Sequence, residues 1–141
     1  MERLEKLYFD YDEKYTEVRK KSNFFNEFIG IGGTVKNHPC HTDFHDGVLA
    51  WIAEFVAKQP TSEETRQVCD FLLETPIPYR EKNNPCHWFM YVCVGSIQDL
   101  VPFMNKADCA AVADKLGKLY KKRERMPVQD KAYKMLLKAS K

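Results

Sequence analysis

The sequence lacks long apolar runs. Its most apolar stretch, which begins at Trp88, is interrupted within about ten residues by glycine, serine, glutamine and aspartate. No segment therefore predicts a helix that spans a bilayer. The first six residues, Met-Glu-Arg-Leu-Glu-Lys, are charged, and they predict no secretory signal peptide.

Cysteine is scarce and is present in an odd number, five residues. The chain has no Cys-x-x-Cys pair, and the spacings predict no disulfide framework, so we expect reduced thiols in a cytoplasmic protein. Three of the cysteines lie on or beside apolar helical stripes, which predicts that they pack in the core: Cys69, Cys93 and Cys109.

Neither sign of charge dominates, because 22 Lys and Arg stand against 20 Asp and Glu. The two signs are nevertheless segregated. Residues 106–141 carry 11 basic against 4 acidic residues, a net +7, and residues 1–105 carry 11 against 16, a net −5. A uniform nucleic-acid binder would be basic throughout. A polarised chain such as this one can instead orient a charged partner at long range.

No segment makes a convincing β-strand. Apolar residues are 44% and charged residues 30% of 141, a composition typical of one globular domain. Apolar residues recur at intervals of three and four along most of the chain, which indicates amphipathic helices. We therefore predict an all-α protein.

A short motif near the start of two predicted helices is repeated. Residues 37–41, Asn-His-Pro-Cys-His, recur as residues 83–87, Asn-Asn-Pro-Cys-His. Further along, the helix-capping pair Thr61 and Glu64 aligns with Asn105 and Asp108. Two helices per unit of 42–46 residues match the period of HEAT and armadillo repeats.

The repeat predicts antiparallel helix pairs stacked as a short HEAT/armadillo-like superhelix. The alternative is an irregular helical bundle in which the match arises by chance. We predict one helical domain over residues 1–141, with these parts: an N-terminal helix 2–28, repeat one 37–75, repeat two 83–125 and a C-terminal helix 127–139.

The first helix of repeat two, from Cys86 to about Val101, is apolar on nearly every side. Such a helix is usually buried at the centre of an all-α domain. Together with the inward stripes of the other helices it predicts one core that buries Trp51, Phe55, Trp88, Val92 and Leu116.

The two Pro-Cys-His turns are candidate chemical sites. At the start of a helix, exposed amides and the helix dipole lower the pKa of a thiol. Stacked repeats would bring Cys40, His41, Cys86 and His87 to one edge, where they could bind zinc as a Cys2His2 set or supply a thiol nucleophile. The favoured alternative is structural, with each cysteine packed as a small apolar residue and each histidine capping a helix or facing solvent.

The basic C-terminal part suggests a binding surface. Lys115, Lys118, Lys122 and Arg125 are spaced to form a stripe on one helix face, with Lys121 and Arg123 beside it. Such a stripe could bind an acidic protein or the phosphates of a nucleic acid, or it could simply be a solvated face. Aromatic residues do not interleave with it, so base stacking is not indicated.

We therefore expect a non-catalytic protein-protein interaction module without a cofactor. A bacterial immunity protein or an adaptor that binds and blocks a partner fits this size and type. The alternatives are a zinc-binding or thiol-dependent enzyme at the Pro-Cys-His turns, and nucleic-acid binding by the C-terminal helices. We expect no membrane partner.

Overall fold

The computed structural model describes residues 1–29, 39–75 and 94–141. All regular elements in these ranges are helical, which confirms the predicted all-α class there. The elements are α1 (Glu2–Ile29), α2 (Pro39–Ala57), α3 (Ser62–Glu74), α4 (Ile97–Leu100), a 3-10 helix (Val101–Phe103), α5 (Lys106–Leu119) and α6 (Pro127–Ala139). None of the described helices is long and apolar enough to cross a membrane.

The chain divides into two compact units, Met1–Trp51 and Ile52–Lys141. In the first unit, α1 packs against the first part of α2. The buried stripe of α1 has helical spacing and is built from leucine and tyrosine: Leu4, Tyr8, Tyr11 and Tyr15. The ring centroids of Tyr8 and Tyr11 lie 5.0 and 4.4 Å from that of Phe44 on α2. Aromatic contacts thus hold these two helices together.

A glycine brings the same two helices close. A Cβ atom placed on Gly47 of α2 would lie 2.8 Å from Cδ2 of Leu7 on α1. Real carbon atoms do not approach that closely without a shift, so only glycine fits the present position of Leu7. Close approach at Gly47 lets α1 and α2 pack their side chains tightly beside it.

The second unit is built on a parallel pair of helices, α3 and α5. At their first turns, the amide N–H of Asn105 donates to Oγ of Ser62 over 2.9 Å. At their far ends, Nζ of Lys115 donates to Oε1 of Glu74 over 2.6 Å. Because start meets start and end meets end, the two helices run in the same direction. Their facing stripes are fully buried: Val68, Leu72, Val112 and Leu116.

Both helices of this pair begin at the predicted caps. Oγ1 of Thr61 accepts a hydrogen bond from the amide of Glu64 over 3.2 Å. Oδ1 of Asn105 accepts one from the amide of Asp108 over 2.8 Å. Each cap satisfies an amide that has no partner within its helix, and both predictions are confirmed.

The last helix, α6, packs against α5. Pro127 occupies its first turn, where the missing N–H costs nothing. The side chain of Gln129 is buried and its Oε1 accepts from the amide of Met126 over 2.9 Å. At the contact with α5, a Cβ atom on Gly117 would lie 3.3 Å from Cε2 of Tyr133, so a larger residue there would require the Tyr133 ring to shift slightly.

The predicted burial is confirmed for two residues and wrong for one, and the two buried residues lie in different compact units rather than being shown to share one core. Trp51 is buried in the first unit and Leu116 in the second. Phe55 is only half-buried, because it lies in the last turn of α2, where fewer neighbours cover a side chain. Trp88 and Val92 lie outside the described residues.

The predicted apolar helix from Cys86 to about Val101 also lies mostly outside the described residues. Its described end differs from the prediction. A turn at Ser96 precedes the short helix α4, and the chain continues as a 3-10 helix to Phe103. Gly95 directly precedes this turn and is closely packed, since a Cβ atom there would lie 3.1 Å from Cγ2 of Val128.

Candidate functional site

The first candidate site is the Cys-His set at the two predicted turns. Cys40 is the second residue of α2 and its side chain is buried. The side chain of His41, and all of Cys86 and His87, lie outside the described residues, so the four-ligand site remains a prediction. Within the part of the chain that is described, no group of three or more His, Cys, Asp or Glu side chains could hold a metal ion.

Two further thiols belong to the core of the second unit. Cys69 and Cys109 are fully buried, as predicted, and neither forms a disulfide. Burial raises the pKa of the Cys69 thiol far above its ordinary value, and burial also raises the pKa of Cys109. Because the thiolate is the reactive form, both groups are poor nucleophiles at neutral pH.

The predicted basic stripe does not lie on one helix face, so this part of the prediction is wrong. Lys115 and Lys118 are on α5, but the helix ends at Leu119, and Lys122 and Arg125 follow in the connecting segment. The helix ends because Tyr120 takes an extended backbone and is buried. Its hydroxyl donates to the carbonyl of Leu73 over 3.3 Å.

Lys115 forms salt bridges within the fold. Its Nζ lies 2.6 Å from Glu74 and 3.2 Å from Asp70, both on α3, and its side chain is 32% exposed. The hydrogen bond to Glu74, assisted by Asp70, raises the pKa of Lys115 above its ordinary value. This lysine therefore joins α5 to α3.

Arg125 also has partners within the fold. Its guanidinium carbon lies 4.2 Å from the ring centroid of Tyr133, and its side chain is only 10% exposed. One terminal nitrogen lies 3.3 Å from Oδ1 of Asp130. The other carboxylate oxygen lies 3.0 Å from Nζ of Lys134, and this hydrogen bond, with the nearby cations, lowers the pKa of Asp130. Arg125 thus stabilises the start of α6.

A run of cations without a salt bridge to a described residue lies between Lys115 and Arg125. Lys121, Lys122 and Arg123 are consecutive and exposed, and none makes an ion pair with another described residue. We call them the basic turn. Lys118, one helical turn earlier, is 75% exposed and pairs at the surface with Asp114 over 2.8 Å. The spacing of charges in the sequence located this region. Only the structure distinguishes the cations that form salt bridges within the fold from those that do not.

A second feature, which the sequence did not predict, lies between α1 and α2. It is a groove of about 200 Å³ lined by Leu7, Asp10, Tyr11, Lys14, Cys40, Asp43 and Phe44. We call it the α1–α2 groove. Most of its exposed lining is apolar, and the lining includes one carboxylate from each helix, Asp10 of α1 and Asp43 of α2. The only sequence signal was that each aspartate directly precedes an aromatic residue, Tyr11 or Phe44, of a buried stripe.

Comparison of the chain with protein-family models, curated proteins and solved structures finds no match. Its function is therefore inferred from its own residues. Two groups of exposed charges in the described ranges stand out because their members lie close together without a salt bridge to a described residue. One is the basic turn in the second unit, and the other is the pair of carboxylates at the α1–α2 groove in the first unit.

Proposed function

We propose that this chain is a non-catalytic protein-interaction module of the cytoplasm that binds an acidic partner through the basic turn. The observation that carries the proposal is the exposure of three consecutive cations, none of which forms a salt bridge with a described residue. Their neighbours Lys115 and Arg125, by contrast, are paired within the fold. The odd number of cysteines and the lack of a Cys-x-x-Cys pair in the sequence support a reducing compartment.

Physical chemistry favours a partner role for such a cluster. Adjacent like charges repel one another, and only Lys122 of the basic turn has a favourable electrostatic interaction with a described carboxylate, that of Asp130. An approaching acidic surface relieves this repulsion. Charge complementarity of this kind acts mainly on the association rate, and salt screens it over about 8 Å at physiological ionic strength.

A HEAT/armadillo-like arrangement is part of the proposal. It is supported by the parallel packing of α3 and α5, the second helices of the two predicted repeats. Side-chain pairs between them lie 41 residues apart for Glu74 and Lys115 and 46 apart for Ser62 and Asp108. These separations are close to the predicted period. Stacked repeats present extended surfaces to partners, which suits an adaptor or an immunity protein that blocks its target.

The test is charge reversal of the basic turn. The variant Lys121→Glu/Lys122→Glu/Arg123→Glu is compared with Lys6→Glu/Lys58→Glu/Lys106→Glu, in which three other exposed lysines are reversed. Both variants change the net charge equally. A partner is isolated from the native host and purified, and its association with each variant is followed at two salt concentrations. We expect the basic-turn variant to associate about tenfold more slowly or worse, and the control to change far less.

Other outcomes would replace the proposal. An unchanged rate for the basic-turn variant would show that the turn is a solvated surface only. Retention of nucleic acid with a steep salt dependence, lost on reversal, would favour the nucleic-acid alternative. An activity that Cys40→Ser/Cys86→Ser abolishes and charge reversal spares would favour the chemical site at the Pro-Cys-His turns.

A further inference from the structure

The α1–α2 groove has an apolar floor and an acidic rim that binding at the basic turn does not use. We propose that this groove binds the arginine side chain of a basic segment in a partner protein. The site lies within the first unit, whereas the basic turn lies in the second, and the two bind opposite charges. The proposal is therefore independent of the function proposed above.

The floor of the groove suits the apolar part of an arginine side chain. The rings of Tyr11 and Phe44 contact each other with centroids 4.4 Å apart and planes tilted by 31°. Both residues are buried and both line the groove, with Cys40 and Leu7 beside them. The ring faces are covered by each other and by Tyr15 and Tyr8, so the floor offers apolar surface on which the aliphatic stem of arginine can pack.

The rim supplies charge of the right sign. Asp10 and Asp43 are exposed, and neither makes an ion pair or hydrogen bond within the described residues. Lys14 also lines the groove, but its Nζ lies 3.7 Å from the carboxylate of Glu17 on the same helix. The groove therefore keeps a net negative charge that a bound cation would neutralise.

The size of the groove favours a single side chain. At about 200 Å³ it is smaller than the pockets of about 300–1,000 Å³ that hold drug-sized molecules and cofactors. A side chain of a protein partner enters such a space while its backbone stays outside. The size therefore suits one side chain of a larger molecule.

Arginine fits this chemistry better than the other cations. Ca²⁺ and Mg²⁺ take six or more oxygen ligands, and the described lining offers two carboxylates among mostly apolar residues. The lysine ammonium is compact and strongly hydrated, so contact with an aromatic floor would strip its water. The guanidinium is more weakly hydrated and carries five donors in one plane, which can serve carboxylates on two sides.

The test is an NMR titration of the full chain with three capped tripeptides, in which glycines flank arginine, lysine or citrulline. Citrulline keeps the shape of arginine and lacks its charge. We expect the arginine peptide to cause saturable shifts in the backbone amides of residues 7–14 and 40–44. Its affinity should exceed that of the citrulline peptide by about tenfold or more, with the lysine peptide between them.

Two variants locate the site. Asp10→Asn/Asp43→Asn should weaken the arginine peptide about fivefold or more, since both charge-assisted contacts are lost. Glu13→Gln/Asp46→Asn removes two exposed carboxylates from the same helices outside the groove lining and should leave the affinity unchanged. Reversal of the basic turn should also leave it unchanged, which separates this proposal from the other.

Three results would overturn the inference. They are the absence of saturable shifts in wild-type protein, equal binding of the citrulline and arginine peptides, and unaltered affinity in the Asp10→Asn/Asp43→Asn variant. The first two comparisons use wild-type protein alone, so they hold even if the double variant folds poorly.

Discussion

Asn105 and Ser62, 43 residues apart in the sequence, are joined by a hydrogen bond of 2.9 Å between the first turns of α5 and α3. Oγ of Ser62 in turn donates to the carboxylate of Asp108, which also lies 3.3 Å from Arg66. Parallel helices bring two positive dipole ends together, and these repel. The Asp108 carboxylate offsets that repulsion, so this cluster favours the parallel pairing.

Replacing Ser62 tests the cluster. Ser62→Ala removes both the acceptor for the Asn105 amide and the donor to Asp108, and we expect a loss of about 1–2 kcal/mol of unfolding free energy. Glu63→Ala, at the next and exposed position of α3, should change it by less than about 0.5 kcal/mol. Urea denaturation measures both. Equal stability of the two variants would show that the hydrogen bonds at Ser62 do not stabilise the pair.

Two neighbouring leucines on α6 test its packing. Leu136 is fully buried, whereas Leu137 is 39% exposed. Leu136→Ala should therefore cost about 2–5 kcal/mol, through lost burial and the cavity that remains. Leu137→Ala should cost less than about 1 kcal/mol, since the side chain already meets water. If thermal and urea unfolding rank the two variants in the reverse order, α6 packs on another face.

The local features of the fold could be predicted from the sequence and the tertiary ones could not. The caps at Thr61 and Asn105 depend on residues three positions apart, so the sequence contains the whole interaction. The end of α5 depends on a contact between Tyr120 and Leu73, 47 residues apart. No glycine or proline marks that end, and a continuous helix through Arg125 was the natural prediction.

The candidate sites follow the same division. The segregation of charge located the basic region, because counting residues is enough for that. Which cations remain free depends on partners in α3 and α6, such as Glu74 for Lys115 and Asp130 for Arg125. The α1–α2 groove could not be predicted at all, since Asp10 and Asp43 become neighbours only when the two helices pack.

The hydroxyl of Tyr120 offers a test of why α5 ends. Tyr120→Phe keeps the buried ring and removes the hydrogen bond to the carbonyl of Leu73, which is left without that donor. We expect a loss of about 1–3 kcal/mol in denaturant titration. The matched change Tyr133→Phe removes a hydroxyl on a half-buried ring and should cost less. A larger cost at Tyr133 would contradict the role assigned to Tyr120.

Acid should weaken the start of α6 through Asp130. The hydrogen bond from Lys134 and the nearby cations hold the pKa of this carboxyl below its ordinary value of 3.8. A group whose pKa is lower in the folded state stabilises the fold above its unfolded pKa, and this contribution is lost as pH falls through the folded pKa. Wild type should therefore be more stable than Asp130→Asn at pH 7.

The difference in stability between wild type and Asp130→Asn should shrink once the pH falls below about 3.8, the ordinary pKa of the carboxyl. Thermal unfolding across the acid range measures it, and Lys134→Met should reduce the same difference at pH 7. A difference that stays constant down to the lowest pH would show that ionisation of Asp130 does not stabilise α6.

The last prediction distinguishes Lys115, which stabilises the fold, from the basic turn, which is proposed to bind a partner. Lys115→Met loses two partly exposed ion pairs to α3, and we expect a cost of about 0.5–1 kcal/mol in unfolding free energy. Its association rate with an acidic partner should stay close to that of wild type. Reversal of Lys121, Lys122 and Arg123 should leave the unfolding free energy nearly unchanged and slow association with an acidic partner. Exposed charges without a salt bridge contribute little to stability but steer association.

Raised salt should slow wild-type association, because it screens the attraction to an acidic partner, and should speed association of the basic-turn variant, because it screens the repulsion from the introduced glutamates. Urea denaturation and association kinetics on the same protein samples measure both properties. If Lys115→Met slows association as much as the triple reversal does, Lys115 belongs to the binding surface despite its ion pairs. The division between structural and binding cations would then be wrong, because the partner would have to compete with Asp70 and Glu74 for the same ammonium group.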